Sequence, residues 1–331
     1  MNVFDSLKAG PVFLIAEIGS NHDGDFDQAL RMMDIAVEAK ASAVKFQSFL
    51  ADHLVLPTDP NHAMLKQLEL PRDWYAKLKE AASERGLVFF STASNTITLG
   101  WMREIDCELY KIASPNLTHL PLIRETAALG KPAIMSTGMA GWREIDMAVR
   151  AFTEGGNHQA ALLHCVSEYP AQPANINLRF MQTLATAYPL PVGFSDHTTE
   201  IGTSIAAVAL GARIIEKHLT LDRASKGPDH HYSLEPGEFI EMGRNIRAVE
   251  LALGQATKML TAGEREKSEL YWRSLHLARD LPVGHVLTAD DLSVVRPNDG
   301  LSPQFFEQVI GMRLTAAVAK GAPLTWELFK Q

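Results

Sequence analysis

Cysteine is nearly missing from this chain. There are two, Cys107 and Cys165, among 331 residues, and they form no CxxC pair. Neither a disulfide framework nor a thiolate zinc site is expected, and a reduced, cytoplasmic setting is the default. No run of about 18 apolar residues occurs, so no membrane span is expected. The opening MNVFDSLKAG has no basic stretch ahead of an apolar core, so it is not read as a secretory leader. Positive charge is in deficit, with 31 Lys+Arg against 39 Asp+Glu and a net charge of −8. A general nucleic-acid binder needs a basic face, so that class is excluded. An anionic substrate must instead meet local cations in a pocket.

Other absences narrow the fold. No GxGxxG follows the first strand-like run, which disfavours a dinucleotide-binding fold. No low-complexity tract is present. Hydrophobic residues make up 46% of the chain and charged residues 21%, which rules out a disordered chain.

What is present is an alternation. Short apolar, β-rich runs fall near Val12–Glu17, Ala43–Gln47, Leu87–Ser91, Leu109–Ile112, Ala133–Ser136, Ala160–His164, Pro191–Phe194 and Arg213–Lys217. Helical spacing fills the gaps: Phe26–Lys40, Asp73–Arg85, Thr96–Ile105, Leu120–Ala128, Trp142–Glu154, Leu178–Ala187, Ile201–Leu210 and Gly237–Leu253. Gly86, Gly130 and Gly211 each stand just before the next strand, where a helix C-cap belongs. Eight strands, each followed by a helix, predict an α/β fold of the (β/α)8 TIM-barrel type over residues 1–253. A doubly wound open sheet is the alternative, but it usually carries fewer strands. Residues 254–272 are polar and charged and read as a linker or an exposed helix. Residues 273–331 change texture, with short β-like runs (HLARDL, SVVRP, LTAAVA) broken by PVG, PNDG and KGAP turns. That unit is too small for a generous core and is expected to lean on a partner surface.

Chemistry gathers at the C-terminal ends of the strands, where barrel enzymes keep their catalytic groups. In strand order the ends bring Glu17; Lys45 and Gln47; Ser91-Thr92; Lys111 and Ser114; Ser136-Thr137-Gly138; His164 with Ser167-Glu168-Tyr169; Ser195-Asp196-His197; and Glu216-Lys217-His218. Buried charge costs free energy unless it is paired or used, so this concentration points to an active site.

His197 and His218 follow adjacent strands and can converge on one metal, with oxygen ligands completing the shell. Such a set suits Mn2+, Fe2+, Co2+ or Zn2+. Two hydrogen-bonded core histidines are the other reading. Lys45 and Lys111, with Ser114, Ser136 and Ser195, can bind a phosphate or carboxylate; the bland alternative is that the lysines only neutralise Glu17 and Glu216. Asp23 and Asp25 read as a helix-start turn, with Asp25 the cap. In GPDHH after the eighth strand, Asp229 is a candidate general base or hydroxyl binder. His230 and His231 are candidate ligands or, for His231, a solvated turn. Cys165 beside His164 is not a nucleophile pair, because strand neighbours face opposite ways.

These residues carry a resemblance. LIAEIGSNHDGD, AVKFQSF, LYKIASPN, GKPAIMSTGM, LHCVSEYPA, LPVGFSDHT, ARIIEKHLTLD and GPDHHYSLEP resemble the sialic acid synthase family, the bacterial synthases of N-acetylneuraminic acid and related nonulosonic acids. VVRPNDGLSP and KGAPL resemble that family's antifreeze-like (SAF) domain. The resemblance implies a TIM barrel joined by a linker to the small domain, in a domain-swapped homodimer. It implies condensation of phosphoenolpyruvate with an N-acetylated amino sugar, N-acetylmannosamine or a related 2,4-diacetamido hexose, with release of phosphate. It further implies His197 and His218 as ligands of a divalent metal, Mn2+ first, with Mg2+ or Co2+ as alternatives. Lys45, Thr92, Lys111, Ser114, Ser136, Ser167 and Ser195 become the phosphoenolpyruvate cradle. Glu17, Gln47, Tyr169, Asp229 and, from the partner chain, Arg296 become sugar-side residues. Either Glu17 or Asp229 is then the general base.

Two departures stand out. Ser114-Pro115-Asn116 replaces the family's Ser-Gly-Glu type run, and Ser167 stands where some members carry Asn. The legionaminic, pseudaminic and spore-coat polysaccharide branches therefore stay open. The rival readings are a phosphoenolpyruvate synthase acting on a phosphorylated sugar, which would need a second basic cluster, and a non-catalytic sugar-phosphate-binding protein.

Overall fold

The computed structural model describes residues 2–329. It divides into two compact units, Met1–Gly254 and Gln255–Gln331. In the first, eight parallel strands close into a barrel in chain order. They are β1 (Phe13–Gly19), β2 (Ala43–Ser48), β3 (Val88–Ala93), β4 (Tyr110–Ile112), β5 (Ala133–Ser136), β6 (Ala160–Cys165), β7 (Val192–Asp196) and β8 (Ile214–His218). The expected outer helices are present: Phe26–Glu38, Trp74–Glu84, Thr96–Glu104, Leu120–Ala128, Trp142–Glu154, Arg179–Ala187, Gly202–Ala209 and Pro236–Leu253. The glycine read as the stop before β3, Gly86, has φ +71°, and Gly211 before β8 has φ +100°. Both occupy the left-handed conformation that side chains resist.

Strand alternation explains where the site forms. The inward positions of each strand begin apolar and end polar: Ile15 then Glu17, Ala43 then Lys45 and Gln47, Phe90 then Thr92, Leu109 then Lys111, Ile134 then Ser136, Ile214 then Glu216 and His218. The apolar half is a buried cluster inside the barrel, joined by Phe4 and Leu7. Those two come from a short helix, Val3–Ala9, capped by the Asn2 side chain. That helix is an addition to the expected pattern. The outward positions, such as Leu14, Val44, Phe46, Met135, Leu162, Phe194 and Ile215, pack with the helices in a second, larger cluster. Parallel strands covered on both faces read as continuous apolar runs.

Two short helices after β2, Ala51–Leu54 and His62–Gln67, were also absent from the expected pattern. The Glu69 carboxylate accepts from Ala51 N at 2.8 Å and lies 3.0 Å from Lys66 Nζ, pinning this segment to itself.

The C-terminal unit has a two-stranded antiparallel sheet, β9 (Ser274–Leu277) with β10 (Leu292–Val295). A small core of Leu275, Leu277, Leu281, Leu287, Val309, Leu314 and Leu324 supports it. The stretch read as a linker contains a helix, Ala262–Tyr271, started by a Thr261–Glu264 capping box.

Candidate active site

A cavity of about 260 Å³ opens at the C-terminal ends of the barrel strands. Its size lies just under the usual range of about 300–1,000 Å³ for small-molecule sites. The floor carries charge held out of water. Lys45 Nζ lies 2.8 Å from Glu17 Oε2 and 4.0 Å from Glu216 Oε2. Lys111 Nζ lies 3.4 Å from Glu216 Oε1 and donates to Ser136 Oγ at 2.6 Å. Ser195 Oγ donates to Glu216 Oε1 at 3.0 Å, and Lys45 donates to Thr92 Oγ1 at 3.3 Å. The lysines pair with Glu17 and Glu216, and they also face a cavity ringed by hydroxyls.

The electrostatics follow from burial and pairing. Burial alone would raise Glu216, but Lys111 and Lys45 hold it down at about 2. Burial pushes Glu17 up, and Glu216 adds to that against the pull of Lys45. Burial would depress Lys45, yet Glu17 and Glu216 keep it above its ordinary value. Lys111 is lowered, by burial first and by Lys45 as well, against the pull of Glu216. Two buried ammonium groups stand close together here, which suits a ligand of more than one negative charge.

Beside this floor, Gln47 Nε2 donates to Glu17 Oε1 at 3.1 Å and to Asp229 Oδ2 at 3.4 Å. Tyr232 OH donates to Asp229 Oδ1 at 2.7 Å. The Tyr169 ring packs at a tilt against both His197 and Tyr232, with interplanar angles of 57° and 53°.

His197 and His218 line this cavity with ring centroids 5.4 Å apart. His197 Nδ1 lies 3.1 Å from the Val166 carbonyl oxygen, which can only accept. Nδ1 therefore carries a proton; burial would lower this imidazole, but Cys165, the Val166 carbonyl and Glu216 raise it above its ordinary value. His218 is pushed well below its ordinary value by burial and by the neighbouring His197 and Lys45, so it is neutral. Its Nδ1 is buried with no hydrogen-bond partner. A buried, neutral imidazole with an orphaned nitrogen fits a metal ligand better than a satisfied core histidine. Among the described residues no group of three or more His, Cys, Asp or Glu side chains gathers as a metal site. A metal here would take two imidazoles from the chain and its remaining ligands from substrate or water.

Not every polar strand end reaches the cavity. His164 turns outward, bonding the Ile176 carbonyl at 2.6 Å and stacking on Phe194. Asp196 and Lys217 also point away, toward the helix Gly202–Ala209. Ser91 pairs with Ser48. Ser167 lines an adjoining hollow with Thr137 and Phe180, not the cavity itself. Arg296 lies in the C-terminal unit, where it donates to the Tyr271 carbonyl at 3.0 Å and covers the Tyr271 ring. Asp25 caps the first outer helix, as read. His230 is buried between Thr220 Oγ1 at 2.7 Å and Asp23 Oδ1 at 2.9 Å, which makes it a pin for the Asp229 loop and leaves no free nitrogen for a metal. His231 faces the Tyr169 carbonyl.

Some lining residues carried no sequence signal. Tyr232, Phe49, Leu54 and Leu65 line the cavity, and aromatic or aliphatic residues read as core. Cys165 faces the cavity, with Sγ 3.8 Å from His197 Nδ1 and 3.7 Å from Ser114 Oγ. Its partner across the space is His197, just past the end of β7, not the adjacent His164. Asn116 also lines the cavity, and its amide nitrogen is tied to the Ala93 carbonyl at 3.2 Å.

Comparison with known proteins places this geometry. The NeuB family model matches residues 32–258, and the SAF domain model matches residues 273–330. An N,N'-diacetyllegionaminic acid synthase of Legionella pneumophila is 36% identical over 95% of this chain and 94% of its own length. A crystal structure of an N-acetylneuraminic acid (sialic acid) synthetase from Leptospira borgpetersenii is 37% identical, with a TM-score of 0.74 over 78% of this chain and 90% of that one. The spore coat polysaccharide biosynthesis protein SpsE of Bacillus subtilis is 35% identical, with a TM-score of 0.67 over 97% of this chain and 96% of that one.

Proposed function

The chain belongs to the NeuB family, and from that premise we propose that it condenses phosphoenolpyruvate with an N-acetylated amino sugar to give a nonulosonic acid and phosphate. The observation that carries the reading is one cavity that holds two buried lysines, a ring of hydroxyls and two imidazoles, of which His218 has a ring nitrogen with no hydrogen bond.

Lys45 and Lys111 bind the phosphate and carboxylate of phosphoenolpyruvate, with Thr92, Ser114, Ser136 and Ser195 supplying hydrogen bonds. Holding both anionic groups orients C3 of phosphoenolpyruvate toward the sugar aldehyde carbon, with which it forms the new bond. Gln47, Tyr169 and Asp229 hold the open-chain sugar. The aldehyde π bond opens to an alkoxide that takes up a proton, water adds at C2, and the C2–O bond to phosphate breaks as the C2 carbonyl forms. One of two carboxylates, Glu17 or Asp229, takes the proton from that water, and the Gln47 amide keeps the two in line. His197 and His218 would hold a divalent metal, Mn2+ first with Mg2+ or Co2+ as alternatives. When bound, it supplies a Lewis acid for a carbonyl oxygen.

We also propose a homodimer in which Arg296 of the partner chain completes the sugar site. The support is resemblance, together with the exposed apolar residues Leu270, Tyr271, Trp272 and Val295 around Arg296. Arg296→Ala is expected to raise the sugar KM with little change in kcat; an unchanged KM counts against the cross-chain role. Among the described residues no helix is long and apolar enough to cross a membrane.

Asn116 favours an acceptor other than N-acetylmannosamine, because a neutral amide fixed to Ala93 stands where a carboxylate is usual. A diacetamido hexose of the legionaminic type is the first candidate, with the spore-coat branch second. The test is phosphate release from phosphoenolpyruvate with Mn2+, run with N-acetylmannosamine, 2,4-diacetamido hexoses or no sugar, each with and without EDTA. Release that needs one sugar and is lost with EDTA establishes the synthase and its branch. No release with any sugar removes the reading in favour of a binding protein.

A further inference from the structure

Asp196 and Lys217 each precede one of the two cavity histidines, and they are register partners across β7 and β8. Strand alternation turns them outward while His197 and His218 turn in. Lys217 Nζ lies 3.0 Å from Asp196 Oδ2, and both side chains are out of contact with solvent. Each group is saturated. Asp196 accepts from Thr198 N at 2.9 Å, Thr203 Oγ1 at 2.7 Å and Ser204 Oγ at 2.7 Å. Lys217 donates to the Thr198 carbonyl at 2.6 Å, Thr198 Oγ1 at 3.2 Å and the Glu200 carbonyl at 3.1 Å.

A buried ion pair is a poor stabiliser. Apolar residues of similar volume are often as stable or more so. The value of this one lies in where it reaches. The Lys217 ammonium, one residue before His218, grips the carbonyls of Thr198 and Glu200, one and three residues after His197. Asp196, one residue before His197, is bound to the start of the next helix and to the residue after His197. The backbone on both sides of His197 is thereby tied to the strand that carries His218.

We propose that Asp196 and Lys217 are positioning residues that set the separation and aim of the His197 and His218 imidazoles. The proposal rests on the reading of those histidines as a metal-holding pair. Residues that orient metal ligands typically matter by about 10–100-fold in affinity.

The test is the double variant Asp196→Asn/Lys217→Met. Met matches the Lys stem, and Asn keeps the acceptor for Thr198 N while the Thr203 and Ser204 hydroxyls turn to accept from its amide. Mn2+ dissociation constants are measured on the full chain by electron paramagnetic resonance, beside thermal melts without metal. His197→Ala serves as the reference for lost ligation. The expected result is a melting temperature near the parent's, Mn2+ affinity reduced at least tenfold, and turnover restored by excess Mn2+ with the phosphoenolpyruvate KM unchanged. A double variant that matches the parent in both melt and Mn2+ affinity overturns the proposal. If the double variant does not fold, Thr203→Val decides: several-fold weaker Mn2+ binding supports the clamp, and unchanged binding overturns it. A parent whose Mn2+ binding is untouched by His197→Ala removes the histidine-pair reading, and the clamp with it; an unchanged variant of a parent that does bind through His197 removes the clamp alone.

Discussion

Glu17 and Lys45 are register partners on β1 and β2, and their charged atoms meet at 2.8 Å with both side chains buried. Lys45 therefore has two tasks: it compensates Glu17, and it is one of two cations available to an anion. The Lys45→Met variant is expected to lose at least 100-fold in kcat/KM for phosphoenolpyruvate. It also leaves Glu17 buried without its cation, which costs about 3–5 kcal/mol. Glu17→Gln added to Lys45→Met should recover most of the melting temperature and none of the activity. Steady-state kinetics and calorimetry on the three variants check this. Recovery of activity in the double variant would show that Lys45 serves only Glu17.

Gly138 follows β5 and donates its N–H to Ser114 Oγ at 3.0 Å. A Cβ there would collide with Ser167 Oγ and stand 2.8 Å from Ser114 Oγ and 3.2 Å from Cys165 Sγ. These neighbours are short side chains that can turn aside, so the fold should tolerate Gly138→Ala. The cradle should not: about a tenfold rise in the phosphoenolpyruvate KM is expected, with the melting temperature nearly unchanged. Ser167→Ala in the same chain should recover part of the loss. Isothermal titration with phosphoenolpyruvate is the direct measurement, and an unchanged dissociation constant places the anion elsewhere.

His218→Ala should abolish Mn2+-dependent turnover and leave the fold intact. Burial holds the imidazole neutral, and its Nδ1 makes no hydrogen bond, with Asp229 Oδ2 3.8 Å away, so its removal strands no hydrogen-bonded donor. Circular dichroism melts and Mn2+ titration separate the two effects. Full activity in the variant would sink the ligand assignment.

The barrel was legible because each strand is a buried apolar run and each helix carries its own spacing, with glycine marking the stops. The charged floor was legible because Lys45, Lys111, Glu17 and Glu216 have no place in an apolar strand without a use. What composition could not separate was the two faces of one strand end. Ser195, Asp196 and His197 are consecutive, yet Asp196 turns outward, and the same holds for Lys217 between Glu216 and His218. His164 was counted with the site for the same reason and faces Phe194 instead. Tyr232, Leu54 and Leu65 were invisible because an apolar cavity wall uses the same residue types as a core. The helices Ala51–Leu54 and His62–Gln67 are too short for a period to show. The proposed dimer and the proposed role of Arg296 rest on resemblance, since no local pattern would mark a residue that serves another chain.

Asp291 offers a test of the C-terminal unit that does not depend on the site. Its side chain is buried and fully bonded, with Arg279 Nε at 2.7 Å from Oδ1 and with His285 Nε2 at 2.8 Å, Thr288 N at 2.8 Å and Thr288 Oγ1 at 2.7 Å from Oδ2. Burial alone would raise this carboxyl, but the bonds from His285, Thr288 and Arg279 hold it well below the ordinary carboxylate range. A depressed folded-state value stabilises the folded form above the unfolded value of about 3.9. That contribution is lost as pH falls below about 4. Asp291→Asn replaces an acceptor oxygen with a donor that meets other donors, so the variant should be less stable at pH 7 by about 2–3 kcal/mol. The gap between parent and variant should narrow as pH drops from about 4 toward 2, because the unfolded parent chain then takes up a proton that the folded chain, with its carboxylate held ionised, does not. Thermal melts of both chains at pH 7, 5, 4 and 3 measure it. A gap that stays constant across that range would mean that packing, not the ionised carboxylate, holds this corner of the unit together.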